Sequence, residues 1–182
     1  MTAQGQALVI GGTGMLTGCV TRLVADGWAV VTPSRRRRTW PAPGATWVFG
    51  EWSRPAELAE HAGAALTGPA GLLVAWVHSP HRQPVLRAVG GLLAPRAPVV
   101  EVLGSAGRDP SVLRVDPVLD GHPAHRVVLG FRRLSGGGTR WLTNEEIGAG
   151  VYEAARAALT DRTAESPRVH EVGELRPWRD RP

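Results

Sequence analysis

Residues Ala7–Gly18 read Ala-Leu-Val-Ile-Gly-Gly-Thr-Gly-Met-Leu-Thr-Gly, and this segment decides the fold. A short apolar run ends at paired glycines and a helical pattern begins at once, so the segment predicts a strand, a tight turn and a helix. Such a turn lets the backbone approach a diphosphate, and the following helix offers N–H groups and a positive dipole end. Gly11 and Gly14 match a Gly-x-x-Gly-x-x-Gly pattern, with Thr17 at the third place. We predict a dinucleotide site here; a glycine turn without a ligand is the alternative.

The second apolar run, Trp28–Val31, stands where the second strand of a βαβ unit is expected. In sites for NAD, an acid near the end of this strand binds the ribose 2′-hydroxyl. The sequence has no Asp or Glu between Gly27 and Gly50. The acid that would favour NAD is therefore missing.

Four consecutive arginines follow this strand instead, after Ser34. Guanidinium groups bind phosphate through paired, charge-assisted hydrogen bonds. We therefore predict NADP(H) as the cofactor, with Arg35 and Arg36 at the 2′-phosphate and Arg37 and Arg38 facing water. A solvated basic loop is the alternative.

Composition fits one soluble globular domain over residues 1–182, with 176–182 as an extended tail. The chain is 43% hydrophobic, and it has no long apolar run and no secretory leader pattern, so we expect a cytoplasmic protein that does not enter a membrane. Its single cysteine, Cys19, is expected to be a small buried residue. All 21 basic residues are arginines spread along the chain, without a nucleic-acid-binding motif, so we expect no nucleic-acid partner despite the net charge of +5.

The pattern of apolar segments alternates between strands and helices. It predicts a doubly wound, Rossmann-like α/β fold, in which a mostly parallel sheet carries helices on both faces. Helices are expected at Met15–Asp26, Pro55–Leu66, Pro84–Leu93 and Asn144–Leu159, the last with a Thr-x-x-Glu capping box. Strands are expected at Ala7–Ile10, Trp28–Val31, Thr46–Phe49, Gly71–Val77, Pro98–Gly104, Val127–Phe131 and Val169–Leu175.

Ligands of open α/β sheets bind beyond the carboxyl ends of the strands. The predicted cofactor-binding residues are therefore Gly11, Gly12, Thr13, Gly14, Met15, Leu16, Ser34, Arg35, Arg36, Ala75, Trp76, Val77, Gly104 and Ser105. No metal site is predicted, because His122 and His125 have no nearby set of further ligands. Glu101, inside a buried strand, is expected to pair with an arginine.

His78 and Ser79 follow the fourth strand and are the candidate catalytic residues. A histidine can donate a proton near neutral pH to a substrate that accepts a hydride, and the serine can hydrogen-bond the substrate heteroatom. The alternative is that both residues only cap the end of the strand.

The glycine-rich opening, the arginines after the second strand and Leu103-Gly104-Ser105 resemble the short-chain dehydrogenase/reductase superfamily. Val74–Ser79, Trp141–Ile147 and Pro177-Trp178 resemble its small, atypical members. The resemblance implies a nucleotide-binding Rossmann fold. It leaves the chemistry open, because those small members are poorly defined in function.

Two departures from that superfamily bear on activity. Its usual members use a Tyr-x-x-x-Lys pair, whereas this chain has no lysine and only one tyrosine, Tyr152, inside the last predicted helix. The Asn-Asn-Ala-Gly segment after the fourth strand is also missing. We expect an NADPH-dependent reductase that transfers hydride to a small-molecule carbonyl, imine or activated alkene without that pair. A non-catalytic NADP(H)-binding sensor or scaffold is the alternative, and the sequence is compatible with a homodimer or a homotetramer.

Overall fold

The computed structural model of the chain describes residues 4–37, 44–104, 117–161 and 167–182. The strands in these ranges are β1 (Gly5–Ile10), β2 (Trp28–Ser34), β3 (Ala45–Phe49), β4 (Leu72–Ala75), β5 (Val99–Leu103), β6 (Ala124–Leu129), β7 (Phe131–Arg133), β8 (Thr139–Trp141) and β9 (Arg168–Val172). The helices are α1 (Thr17–Ala25), α2 (Pro55–Ala65), α3 (Ser79–Gly90) and α4 (Asn144–Thr160). None of the helices in the described ranges has the length and apolar character needed to cross a membrane.

Seven strands form a parallel sheet in the order β3-β2-β1-β4-β5-β6-β9. The chain begins in the middle at β1, runs outward through β2 and β3, and returns to the other side of β1 at β4. This reversal leaves a crevice above the carboxyl ends of β1 and β4, where ligands bind in open α/β sheets. The predicted doubly wound α/β fold is confirmed.

Residues Ala7–Ile10 of β1 show why a strand that is covered on both faces is apolar. Ala7 and Val9 pack on the face covered by α1 and α4, whereas Leu8 and Ile10 pack on the face covered by α2 and α3. All four side chains are fully buried. Because successive side chains of a strand point to opposite faces, a strand covered on both sides has no exposed face for polar residues.

Two glycines let α1 and α4 approach closely. A Cβ added to Gly148 would lie 2.9 Å from the Cα of Gly18, so a larger residue at this crossing would push the helices apart. The neighbouring Cys19 is fully buried, as the sequence predicted. Burial raises the pKa of its thiol to about 12, which keeps the group protonated and unreactive.

The capping box at the start of α4 is also confirmed. The Thr143 hydroxyl accepts a hydrogen bond from the Glu146 N–H at 3.2 Å, and the Glu146 carboxylate accepts one from the Thr143 N–H at 2.9 Å. Two N–H groups that the helix leaves without partners are thereby satisfied.

The predicted start of α3 at Pro84 is wrong. The helix begins at Ser79, with Pro80 in its first turn and Pro84 inside it. Proline is tolerated in the first turn of a helix because an N–H at that position would have no partner within the helix. Both Pro80 and Pro84 fit this preference, so the sequence alone does not decide which of them marks the start. The earlier start places His78 at the N-cap and His81 in the first turn.

An antiparallel hairpin, β7–β8, follows β6, where the sequence predicted only one strand from Val127 to Phe131. Gly130 lies between β6 and β7, and an added Cβ there would lie only 2.2 Å from the carbonyl oxygen of Glu174. Only glycine fits at this close approach. The sheet strand ends at Leu129, and the hairpin starts at Phe131.

The C-terminal residues 176–182 lie against this hairpin. The Arg133 guanidinium pairs with Asp180 at 2.9 Å, and the Thr139 hydroxyl donates to the Asp180 carbonyl at 2.7 Å. The Trp178 ring centroid lies 6.3 Å from that of Phe131 and 6.0 Å from that of Trp141. Ion pairs and aromatic contacts therefore hold the tail to β7 and β8.

Candidate functional site

A cleft of about 410 Å³ opens at the carboxyl edge of the sheet. It lies beside the crevice between β1 and β4 that the strand order creates. Five segments of the chain line it, namely Gly11, Thr13 and Gly14 after β1; Pro33, Ser34, Arg35 and Arg36 at the end of β2; Gly50, Glu51, Trp52 and Ser53 after β3; Trp76 after β4; and His81 in α3. The fold thus brings together the glycine turn and the basic segment that the sequence singled out.

The glycine turn has the backbone geometry of a cradle. Gly11 has a φ of +88°, a backbone conformation that residues other than glycine rarely adopt. The Gly14 N–H donates to the Gly11 carbonyl at 3.2 Å, and an added Cβ on Gly14 would meet only that carbonyl, at 3.8 Å. The backbone at Gly14 is therefore open to a ligand from the side of the cleft.

Thr17, at the third position of the glycine pattern, stabilises this turn. Its hydroxyl lies 2.7 Å from the Gly14 carbonyl oxygen and 3.2 Å from that of Gly12. Because Thr17 is also the first residue of α1, the positive end of that helix lies directly after the turn.

Three other predicted residues of the opening segment, Gly12, Met15 and Leu16, pack toward the protein interior. An added Cβ on Gly12 would lie 2.9 Å from a Thr32 methyl carbon and 3.0 Å from Val20, so helix–strand packing requires this glycine. Leu16 is fully buried and Met15 packs against the same core. These residues would contact a ligand only through their backbone atoms.

The basic segment at the end of β2 is fixed by Ser34. Its hydroxyl donates to the Arg36 carbonyl at 2.6 Å and accepts from the Trp47 indole N–H at 3.2 Å. Arg35 and Arg36 are exposed and line the cleft, and no described carboxylate pairs with either. Arg37 lies over the Trp47 ring at 6.0 Å, and Arg38 lies outside the described residues. Two guanidinium groups are thus available to an anion in the cleft.

Glu51 and Trp52 line the same cleft, and sequence reasoning missed the carboxylate. Ser34 pairs with Phe49 in the register of β2 and β3, so the residues that follow both strands meet at one edge. The parallel pairing of these two strands is the signal that could have found Glu51. The cleft therefore offers two cations and one carboxylate.

Four aromatic rings form a cluster on the side of the cleft nearest α3. The ring centroid of His78 lies 5.2 Å from that of Trp52 and 5.1 Å from that of Trp76. His81 lies 6.5 Å from Trp52. The exposed His78 side chain makes no capping hydrogen bond to α3, so its imidazole is held by ring contacts at the solvent boundary.

The remaining predicted site residues lie at or below this edge. Ala75 is buried, Val77 is partly buried, and Gly104 lies beside the Trp76 indole, since an added Cβ would be 3.6 Å from Nε1. Ser79 is exposed as the first residue of α3. Ser105 lies outside the described residues.

A buried ion pair joins α3 to β5. The Arg82 guanidinium on α3 donates to both carboxylate oxygens of Glu101 on β5, at 2.6 and 2.9 Å. Glu101 is only 4% exposed, so the bidentate pairing compensates for the loss of water around its charge. The prediction that Glu101 pairs with an arginine is confirmed.

Tyr152 does not belong to the cleft. It lies on α4, where its hydroxyl donates to the Asp26 carboxylate at 2.6 Å, and this hydrogen bond raises the pKa of the phenol. The one tyrosine of the chain therefore ties α4 to the end of α1.

No family model matches the sequence, and no curated protein matches it. Solved structures do match the fold. A short-chain dehydrogenase from Leptospira borgpetersenii with bound NAD+ has a TM-score of 0.67 and 7% identity, over 96% of this chain and 93% of that one. BdcA in complex with NADPH has a TM-score of 0.59 and 13% identity, with 96% of each chain covered.

The negative transcriptional regulator NmrA, in complex with NADP, is a third structural neighbour. Its TM-score is 0.62 at 12% identity, over 92% of this chain and 66% of that one. These neighbours therefore include a dehydrogenase and a transcriptional regulator. The chain has the Rossmann-like fold of short-chain dehydrogenase/reductases, as the sequence resemblance predicted.

Proposed function

We propose that the chain binds NADP(H) in this cleft. One observation carries the proposal: a glycine turn with an open backbone and two arginines without described carboxylate partners line the same cavity. The turn and the N-terminus of α1 suit a diphosphate, and Arg35 and Arg36 suit a 2′-phosphate. The structural neighbours with NADP or NADPH support a cofactor of this class.

We further propose that the protein is an NADPH-dependent reductase of a small carbonyl, imine or activated alkene. The bound dinucleotide would supply the hydride, and the chain would hold the two reactants in contact, which alone lowers the barrier substantially. His78 would donate a proton to the substrate atom that gains negative charge, and the Ser79 hydroxyl would hydrogen-bond that atom. Both residues are exposed, and the His78 ring lies 5.1 Å from that of Trp76, which supports these roles.

The test is NADPH oxidation measured against a panel of carbonyl, imine and enone substrates. With a substrate that is turned over, H78A should lower kcat about 100-fold while changing NADPH affinity by less than about twofold. The matched control is H122A, since His122 lies before β6 at the opposite edge and contacts the Ala97 carbonyl at 2.9 Å. Unchanged turnover in H78A would remove the proton-donor role.

A sensor or scaffold that binds NADP(H) without turnover is the second candidate. Two observations favour it: the chain has no lysine to form the usual catalytic pair, and the regulator NmrA is among its structural neighbours. Tight NADPH binding together with no oxidation on any substrate would select this candidate over the reductase.

A further inference from the structure

The indole of Trp76 lies across the carboxyl edge of the sheet at the crevice. Its backbone N–H donates to the Ile10 carbonyl at 3.0 Å, which continues the pairing of β4 with β1. A Cβ added to Gly11 would lie 3.6 Å from the indole Cε3, and one added to Gly104 would lie 3.6 Å from Nε1. Because Cε3 and Nε1 are on opposite edges of the ring, the indole reaches from the end of β1 to the end of β5.

This ring is held in place by its neighbours. The Trp52 ring meets it edge to face at 6.5 Å and 86°, and the His78 ring lies 5.1 Å away. Trp76 also packs against the core shared by α1 and α4, and it lines the cleft. The indole is therefore a preorganised flat surface rather than a freely rotating side chain.

The position of this surface follows from the path of a dinucleotide. If the extra phosphate is at Arg35 and Arg36 beyond β2, and the diphosphate is at the glycine turn beyond β1, the second nucleoside continues toward β4 and β5. The Trp76 indole lies along that route, so the second nucleoside would contact it. A planar nicotinamide ring can stack on an indole face, and stacking of this kind stabilises nucleotide bases on aromatic side chains.

We infer that Trp76 is a positioning residue that supports the nicotinamide half of the cofactor and distinguishes the whole dinucleotide from its adenosine fragment. This inference rests on the proposed NADP(H) function. It assigns the two halves of the ligand to different residues: Arg35 and Arg36 hold the adenosine phosphate, and Trp76 holds the nicotinamide.

The test compares two ligands, NADPH and adenosine 2′,5′-bisphosphate, by titration of the wild-type chain and W76A. W76A should weaken NADPH binding about tenfold and change the affinity for the bisphosphate by less than about twofold. Equal loss for both ligands, or no loss for either, would overturn the inference while leaving the proposed function intact. A wild-type chain that binds neither ligand would overturn both.

The variant W76F keeps the test decisive if W76A fails to fold. Phenylalanine preserves a flat ring, so NADPH affinity should stay within about threefold of wild type. Reduced nicotinamide absorbs where tryptophan emits, so NADPH should quench the emission less in W76F than in the matched control W141F. Trp141 lies on the hairpin and is 45% exposed. Equal quenching in the two variants would overturn the inference.

Discussion

Arginine side chains have different surroundings at the cleft and at the β7–β8 hairpin. Arg35 and Arg36 line the cleft without a described carboxylate partner. On the hairpin, Arg132 and Arg140 both pair with Glu146, and Arg133 pairs with Glu174 and Asp180. A paired guanidinium stabilises the folded chain, whereas an unpaired one remains available to an anionic ligand. Whether a described carboxylate pairs with the guanidinium therefore separates the binding region from the structural one, although both regions are rich in arginine and Glu51 also lines the cleft.

The largest predicted effect is a loss of NADPH affinity when the two cleft arginines are replaced. The double variant R35A/R36A should weaken NADPH binding about 100-fold, because it removes two charge-assisted contacts to phosphate. The affinity for NADH should stay within about twofold, since NADH lacks the 2′-phosphate. Fluorescence titration measures both constants.

The hairpin provides the matched control for that experiment. R133A removes a guanidinium of the same kind that is already paired with Glu174 and Asp180. Its NADPH affinity should equal that of the wild type, while its melting temperature falls slightly. Loss of NADPH affinity in R133A would contradict the division between the two regions.

An intermediate effect, on the free energy of unfolding, is expected when Glu146 is replaced. This residue joins the hairpin to α4. Hydrogen bonds from Arg140 and from the Thr143 N–H lower the pKa of its carboxyl to about 2. Because the folded pKa lies below the ordinary value, the stabilisation is complete above the unfolded pKa and is lost as pH falls through about 2.

E146A should lower the free energy of unfolding by about 1 kcal/mol at neutral pH, because the capping box is lost. E146Q keeps an acceptor for the Thr143 N–H and should lose less. Urea unfolding of both variants measures the difference, and equal stability of E146A and the wild type would contradict the role of the capping box.

A smaller effect, on the pH dependence of stability, is expected from two histidines that face each other. His125 lies on β6 and His170 lies on β9. The Nδ1 of the buried His125 lies 3.0 Å from the Nε2 of His170, and their rings stack at 5.3 Å. Burial lowers the pKa of both imidazoles, and the nearby His170 charge lowers that of His125 further.

The unfolded chain consequently binds more protons than the folded chain near pH 6, so stability should fall as the pH drops from about 7 to about 5. H125Q should flatten this dependence, measured as the urea midpoint at each pH. A wild-type midpoint that rises on acidification would contradict the direction of both shifts.

The glycine segment correctly predicted β1, the turn and α1 because local sequence determines these elements. The apolar run before Gly11 and the helix after Gly14 need no distant information, and the continuous burial of Ala7–Ile10 follows from their apolar composition. The capping box at Thr143 was equally predictable, since both partners lie within four residues.

The features that sequence reasoning missed depend on distant contacts. Glu51 reaches the cleft only because β3 pairs in register with β2. The hairpin has strands of three residues, too short for an alternating pattern, and it follows Gly130, where Glu174 approaches from a distant part of the chain. The aromatic cluster around Trp76 forms because separate strand ends meet at one edge of the sheet, which spacing along the chain does not reveal.

Calorimetric titration of the wild-type chain with NADPH and with NADH tests the central claim most directly. The account predicts heat of binding with NADPH and an affinity for NADH that is weaker by about 100-fold, because only NADPH carries the phosphate for Arg35 and Arg36. Absence of heat with both dinucleotides, or tighter binding of NADH, would contradict it.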